Sequence, residues 1–539
     1  MSRDTVDCPD WPADVAERYR AAGWWRGETF GQQLATWAER FGSRTALIDG
    51  EERLTYAELN ATARRLSHAL HELGLRRGDR VVVQLPNRAE FVVLWFALVR
   101  LGVVPVHAMP GHRRSEVGHL VAQSHAVAYF GPDRHARFDH RQLAAEVRAE
   151  FPHLAHVVID GDTAGWDEFR SLRELLATEP ATIDRPDPPA ASDMALLLLS
   201  GGTTGTPKLI PRTHDDYACN ARLAAEICKL GPHSVYLAVL PMPFNFTMSC
   251  PGILGVLQAG GTVVVARDPS PTTAFRLIER ERVTITALNP PLVPLWLQER
   301  TESAADLSSL ELLQVGAARL SDDLARRIRP ELGCRLQQVF GMAEGLLNLT
   351  RAEDGEDLVC TTQGRPICPD DEVLVVDEAG AEVPPGEVGE LLTRGPYTIR
   401  GYYRAEEVNR TGFTPDGYYR TGDQVRRLPS GHLSVVGRIK DQINRGGEKI
   451  DATEVEGHLA AYPGVLAAAL VGAPDQDLGE RPVAFLVCDG EPPTVRAVGS
   501  FLRERGLAAY KHPDRVGTVS EMPLTAVGKI DKKALVRLL

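Results

Sequence analysis

The apolar positions of this chain gather into short unbroken runs. RVVVQL (80–85), ALLLLS (195–200), SVYLAVL (234–240), GTVVVA (261–266) and VTITAL (283–288) are each closed off by Gly, Pro or Asp. Strands with so few polar interruptions belong in sheets covered on both faces. Between them the pattern is helical. Residues 73–86 read as a helix end, a turn at Arg77-Gly78-Asp79 and a strand, and Ala89–Leu101 as an apolar helix. The alternation predicts an α/β fold, with a large N-terminal domain of covered, mostly parallel sheets and helices. RPDPPAASD (185–193) is the most linker-like stretch. Near residue 438 the texture changes: GRIKDQINRGGEKI opens about 100 residues with strands at VLAAALVG and RPVAFLVC and helices at VEGHLAAY and VRAVGSFLRERG, an α+β tail domain.

Composition narrows the class. At 539 residues the chain is too long for one core. A net charge of -12 argues against nucleic-acid binding, which needs a basic face. The start, MSRDTVDCPDWPADV, has no apolar targeting segment, and the longest apolar run, Phe91 to Val99, falls well short of the roughly 20 residues that span a bilayer. A cytoplasmic protein without a membrane partner is expected. Eight cysteines are scattered with no CxxC or Cys/His cluster, so neither a zinc site nor a disulfide framework is indicated.

Chemistry enters at LLLLSGGTTGTPKLIPRTH, 196–214, where a greasy strand runs into glycines, threonines and a lysine. Unshielded backbone N–H groups with the Thr203 and Thr204 hydroxyls and the Lys208 charge suit a polyphosphate held along Ser200, Gly201, Gly202 and Gly205. A Walker A loop needs Gly-Lys followed by Ser or Thr, whereas Pro207 precedes this lysine and Leu209 follows it. A P-loop NTPase or kinase is disfavoured accordingly.

FGMAE (340–344), YRTGD (419–423), GRIKDQI (437–443) and PLTAVGKI (523–530) follow the Gly/Thr loop in order. Together these five motifs resemble the core motifs of the adenylate-forming superfamily, and the resemblance runs from LTYAELN at 54–60 to the C-terminal helix. It implies two half-reactions: a carboxylate attacks the α-phosphate of Mg-ATP to give an acyl adenylate and pyrophosphate, then a thiol displaces AMP. It also implies an N-terminal adenylation domain (1–437) with a small barrel-like subdomain, a hinge (438–441) centred on Lys440, and a mobile C-terminal domain (442–539). ATP and Mg²⁺ are the implied cofactors. Glu344 is implied as the Mg²⁺ ligand, a hard cation preferring oxygen. The nucleotide is expected against Gly316, Ala317, Val339, Phe340, Gly341 and Met342, its ribose on Asp423 and Arg438. Lys529 is expected between the incoming carboxylate and the α-phosphate, relieving their repulsion. Gly446 and Gly447 are implied beside the thiol's path after the tail domain swings.

LPMPFNFTMSCPG (240–252), with KLIPRTHDDY and QVFGMAEGLLNLT, resembles the stand-alone aryl-acid ligases of siderophore assembly. There, Asn245 takes the place of the residue that reads the ortho-hydroxyl, with Phe246 beside it. Cys250 and Leu347 match the salicylate type, since a thiol and a bulky leucine shrink the corner that would receive a 3-hydroxyl. Rejection of benzoate by up to roughly 10⁴-fold is expected if Asn245 is left unpaired. Some 2,3-dihydroxybenzoate turnover is also expected, because an apolar pocket rejects an added hydroxyl only about 10²-fold. Phe244 replaces the family's histidine, which leaves salicylate and 6-methylsalicylate both open. Arg319 replaces lysine in the family's VGGAK, here VGAAR. The acceptor is expected in trans: the phosphopantetheine thiol of an aryl carrier protein, with coenzyme A as the alternative. The polar Asn245 argues against a fatty-acyl ligase. A catalytically dead scaffold on this fold is disfavoured because Lys208, Glu344, Asp423, Arg438 and Lys529 are all present.

Overall fold

A computed structural model describes residues 8–178, 188–200, 207–446, 448–475, 478–525 and 528–539. Gly201, Gly202, Thr203, Thr204, Gly205 and Gly447 lie outside the described residues, as do 185–187 of the expected linker.

The apolar runs become the interiors of two large sheets. The nine-stranded one reads, edge to edge, Arg365–Pro366, Leu347–Leu349, Arg335–Gly341, Leu312–Val315, Ile285–Leu288, Val235–Ala238, Thr262–Val265, Thr45–Asp49 and Glu52–Thr55. Its six central strands, Arg335–Gly341 through Thr45–Asp49, are mutually parallel. The seven-stranded sheet runs Leu209–Thr213, Met194–Leu199, Val104–His107, Arg80–Val83, Ala128–Pro132, His156–Asp160 and Arg170–Ser171. The helix Ala89–Leu101 is apolar on nearly every side because it is enclosed: Phe91 through Val99 are all buried in a core shared with strands of both sheets. Gly102, at φ +78°, ends it in the left-handed conformation that favours glycine.

The expected barrel-like subdomain is a four-stranded antiparallel sheet, Glu372–Val376, Val388–Arg394, Tyr419–Arg427 and Leu433–Arg438. A single 3-10 turn, Ile439–Asp441, then leads into a separate five-stranded sheet. Helices Ala452–Ala460 and Val495–Glu504 bury Val455, Leu459, Val498 and Leu502 against that sheet, giving the tail its own core. Among the described residues no helix is long and apolar enough to cross a membrane.

This topology sets the site. In open sheets of parallel strands, loops beyond the carboxyl ends line the ligand crevice. Here those loops carry Asn245, Asn289, Gly316 and Glu344, which follow the strands ending at Ala238, Leu288, Val315 and Gly341.

Candidate active site

The Gly/Thr loop is held at its stem. Ser200 N–H donates to the Lys208 carbonyl at 3.0 Å and Lys208 N–H to Ser200 Oγ at 3.0 Å, continuing the antiparallel pairing of Leu199 with Leu209. The Lys208 ammonium lies 4.8 Å over the ring of Tyr402. Tyr402 donates its phenolic proton to Glu344 Oε1 at 2.8 Å, so the 2.9 Å contact with Tyr419 has Tyr419 as donor. Burial lowers the Lys208 pKa, as does Lys440 nearby, while Glu344 opposes both.

Glu344 is buried in a turn where Met342 N–H meets the Leu346 carbonyl at 3.2 Å. Gly345 is required there: at φ +156° its Cβ would lie 2.4 Å from the Thr398 backbone. Behind the turn, Arg212 is paired with Asp216 at 2.6 Å, both side chains fully buried, and donates to the carbonyls of Ala343 at 2.9 Å and Tyr397 at 3.2 Å. Asp216 in turn caps the helix His214–Ile227 reciprocally with Thr213.

Across the cleft, Asp423 and Arg438 are neighbours in register, with Arg438 Nε donating to Asp423 Oδ1 at 2.6 Å. The Asp423 charge holds the Arg438 guanidinium above its ordinary pKa. Lys529 enters from the C-terminal side, next to the antiparallel bridge between Leu524 and Ile530. Thr525 N–H donates to the Lys529 carbonyl at 2.7 Å, and Lys529 N–H to Thr525 Oγ1 at 3.2 Å. Lys529 is half-buried and lines a cleft. Burial first, then Arg438, push its pKa down to about 8, against the opposing charges of Asp423 and Glu344. Glu344 thus acts electrostatically on Lys208, Arg438 and Lys529 at once. A cleft of about 980 Å³ between the two parts of the chain is walled by Asn289, Ala317, Arg319, Arg438, Lys440 and Lys529 among others. Arg319 is tied to Asp322 at 3.0 Å, and Ala317 holds φ +70°, a left-handed strain costing an alanine roughly 1–2 kcal/mol.

The expected aryl pocket is a second group, and Asn245, Cys250 and Leu347 are not among the walls of that cleft. Gly316 joins the two: a Cβ there would press on Val339 and, at 3.1 Å, on the Phe246 ring, while the next residue faces the cleft. A Cβ on Gly341 would strike Leu347 at 2.7 Å. Phe340 keeps its strand register through Asn348, which donates to its carbonyl at 3.1 Å. Phe244 meets Phe246 edge to face, their centroids 6.4 Å apart. Cys250 is buried and its thiol is pushed up to about 11, which keeps it a neutral filler.

Asn245 has a defined polarity. Asn220 Nδ2 donates to the Ser249 carbonyl at 2.7 Å, an acceptor only, and to Ser249 Oγ at 3.2 Å. The Ser249 proton then points to Asn245, with Oδ1 at 3.2 Å and the backbone carbonyl at 3.4 Å as its acceptors, and Tyr217 donates to Oδ1 at 2.9 Å. Asn245 Nδ2 is left with only a 3.8 Å contact to Cys250 Sγ. The amide therefore presents a donor, and its acceptor is already satisfied.

The Gly446 carbon stands at φ +59° in a turn closed by its N–H on the Leu478 carbonyl at 2.7 Å. Sequence reasoning missed Arg212, Tyr217, Asn220, Asn289 and Tyr402. Arg212, Tyr217 and Asn220 lie at or just beyond the quoted KLIPRTHDDY, but only folding shows that they support Glu344 and Asn245.

The fold and site define an adenylate-forming ligase, with Arg438, Lys440 and Lys529 lining one cleft between the antiparallel sheet and the tail sheet. The chain belongs to the AMP-binding enzyme family, whose model matches residues 34–403, while the AMP-binding enzyme C-terminal domain matches residues 454–529. It is 52% identical over 525 residues to the 2,3-dihydroxybenzoate-AMP ligase of Bacillus subtilis, covering 97% of this chain and 96% of that one. It is 49% identical over 532 residues to the salicyl-AMP ligase / salicyl-S-ArCP synthetase of Mycobacterium tuberculosis, covering 98% and 93%. The Mycobacterium smegmatis MbtA apo structure superposes with a TM-score of 0.78 at 48% identity, covering both chains fully.

Among the described residues no group of three or more His, Cys, Asp or Glu could hold a metal by itself. The donor set fits Mg²⁺ nonetheless, because that ion is typically held by one or two carboxylates together with substrate phosphates and water. Glu344, one carboxylate oxygen anchored by Tyr402, is the residue that would hold it.

Proposed function

We propose that this protein activates an ortho-hydroxy aromatic acid, salicylate or 6-methylsalicylate, and passes it to a carrier protein of siderophore or nonribosomal peptide assembly. A carboxylate oxygen of the acid bonds to the α-phosphorus of ATP, the α–β bridging bond breaks, and pyrophosphate leaves. The phosphopantetheine thiol of a separate aryl carrier protein then loses its proton and attacks the acyl carbon, and AMP leaves. Bound Mg²⁺ neutralises charge on the polyphosphate. Lys208 and the Gly/Thr loop hold the phosphates, Asp423 and Arg438 the ribose side, and Lys529 the bridging oxygens. Residues 438–441 act as the hinge between an N-terminal domain and the tail.

The observation that carries the substrate reading is the Asn245 amide N–H group, which meets only the weak acceptor Cys250 Sγ at 3.8 Å. It matches an ortho oxygen or the carboxylate of the acid. Because Asn245 Oδ1 is already bonded, a benzoate leaves one N–H group unpaired rather than the whole amide. That costs roughly 1–3 kcal/mol, a preference of about tenfold to 200-fold rather than 10⁴. Acid-dependent ATP–pyrophosphate exchange over salicylate, 6-methylsalicylate, 2,3-dihydroxybenzoate, benzoate, anthranilate and octanoate tests this. Salicylates are expected to lead, and Asn245→Leu should erase the margin over benzoate. Anthranilate, whose ortho group is an amine, should trail salicylate. Equal rates for benzoate and salicylate in the parent enzyme would sink the reading. The Bacillus relative supports 2,3-dihydroxybenzoate as the alternative acid, and a coenzyme A acceptor separates from a carrier by the thioester formed.

A further inference from the structure

Asn289 belongs to none of the motifs above. It follows the strand Ile285–Leu288, is 5% exposed, and starts the Asn-Pro-Pro corner leading into the helix Leu292–Glu302. Its Nδ2 donates to the carbonyl of Gly528 at 2.9 Å, a hydrogen bond that joins the nine-stranded sheet to the turn carrying Lys529. The fit is close from both sides. Gly528 stands at φ +76°, and a Cβ there would lie 2.3 Å from Asn289 Nδ2, so only glycine lets the amide reach the carbonyl. Asn289 Oδ1, buried, has no partner among the described residues.

We propose that Asn289 is a positioning residue for adenylate formation, a latch that docks the Gly528 carbonyl and thereby seats Lys529 in the cleft. The contact is one residue from Lys529, whose own backbone is bonded on both its N–H and its carbonyl to Thr525, so a fixed Gly528 carbonyl bears directly on the lysine's position. The latch is weak by construction. One buried hydrogen bond contributes little net free energy, and the unpaired Oδ1 loses its water on closure, offsetting part of that gain. A weak latch suits a tail that must close for the first half-reaction and release for the second. The proposal rests on adenylate formation by this family and is independent of which acid is used.

The test compares Asn289→Leu, close in size but without a donor, and Asn289→Ala with the parent enzyme. Two readouts are taken: acid-dependent ATP–pyrophosphate exchange, using whichever acid of the panel the parent activates, and tryptic cleavage after Lys529 with ATP and that acid present. Both variants are expected to lose about tenfold in kcat, with KM for ATP within about twofold, and to be cut after Lys529 several times faster. Unchanged kcat in both variants overturns the proposal. So does a fall in kcat with unchanged cleavage, or a fall matched by an equal rise in KM for ATP, since neither reports a displaced lysine. A failure of the salicylate reading alters only the acid that serves in the assay.

Discussion

Replacing Lys529 by alanine lowers adenylate formation by about 10³-fold or more and leaves ATP binding largely intact. The charge is demanded only when a second anion, the carboxylate, closes on the α-phosphate, so its loss falls on kcat/KM for the acid rather than on nucleotide affinity. Exchange kinetics and equilibrium ATP binding measure the two separately, and full adenylation by Lys529→Ala would overturn the assignment. The same residue sets a pH limb. Burial and Arg438 depress its pKa to about 8, so the ammonium form declines as pH rises through about 8 instead of near the ordinary 10.5. The kcat/KM profile, which reports the free enzyme, should fall on that alkaline side. With ATP bound, the polyphosphate favours the charged lysine, so the limb in kcat lies higher. In Lys529→Arg the limb should vanish, because a guanidinium does not deprotonate in this range.

The second large effect is on stability. Arg212 and Asp216 are fully buried partners, and removing the arginine leaves an uncompensated carboxylate inside the core. Arg212→Met is expected to cost about 3–5 kcal/mol. For a chain of 539 residues, whose unfolding entropy scales with length, that is a fall of roughly 3–4 °C in Tm. Replacing both partners, Arg212→Met with Asp216→Leu, should recover most of the loss, because well-packed apolar side chains can substitute for a buried ion pair. Activity should not recover with it. Arg212 also holds the Ala343 and Tyr397 carbonyls, and without those bonds the turn presenting Glu344 is released. A stable double variant with restored turnover would show that the pair serves folding alone.

The chain-level pattern made much of the architecture readable. Ala89–Leu101 has the bounds the apolar spacing predicts, and each quoted apolar run contains a sheet strand. The ordered motifs single out Lys208, Glu344, Asp423, Arg438 and Lys529 because each is a local cluster with distinctive residue types, and the fold brings these charges within electrostatic reach of one another. The polarity of Asn245 was not readable. It depends on Tyr217, Asn220 and Ser249, which reach it through hydrogen bonds between two helices, and it lowers the expected rejection of benzoate.

Sequence by itself determined which elements form and which side chains carry charge or donors, since strand and helix periods, caps and glycine turns are properties of short segments. Tertiary structure alone decided what those groups face. Arg212 became a buried support, Asn289 a partner of Gly528 239 residues away, and Lys529 a lysine with a depressed pKa. Burial and contact between distant segments set desolvation and hydrogen-bond direction, and neither quantity is written in any local stretch of the chain.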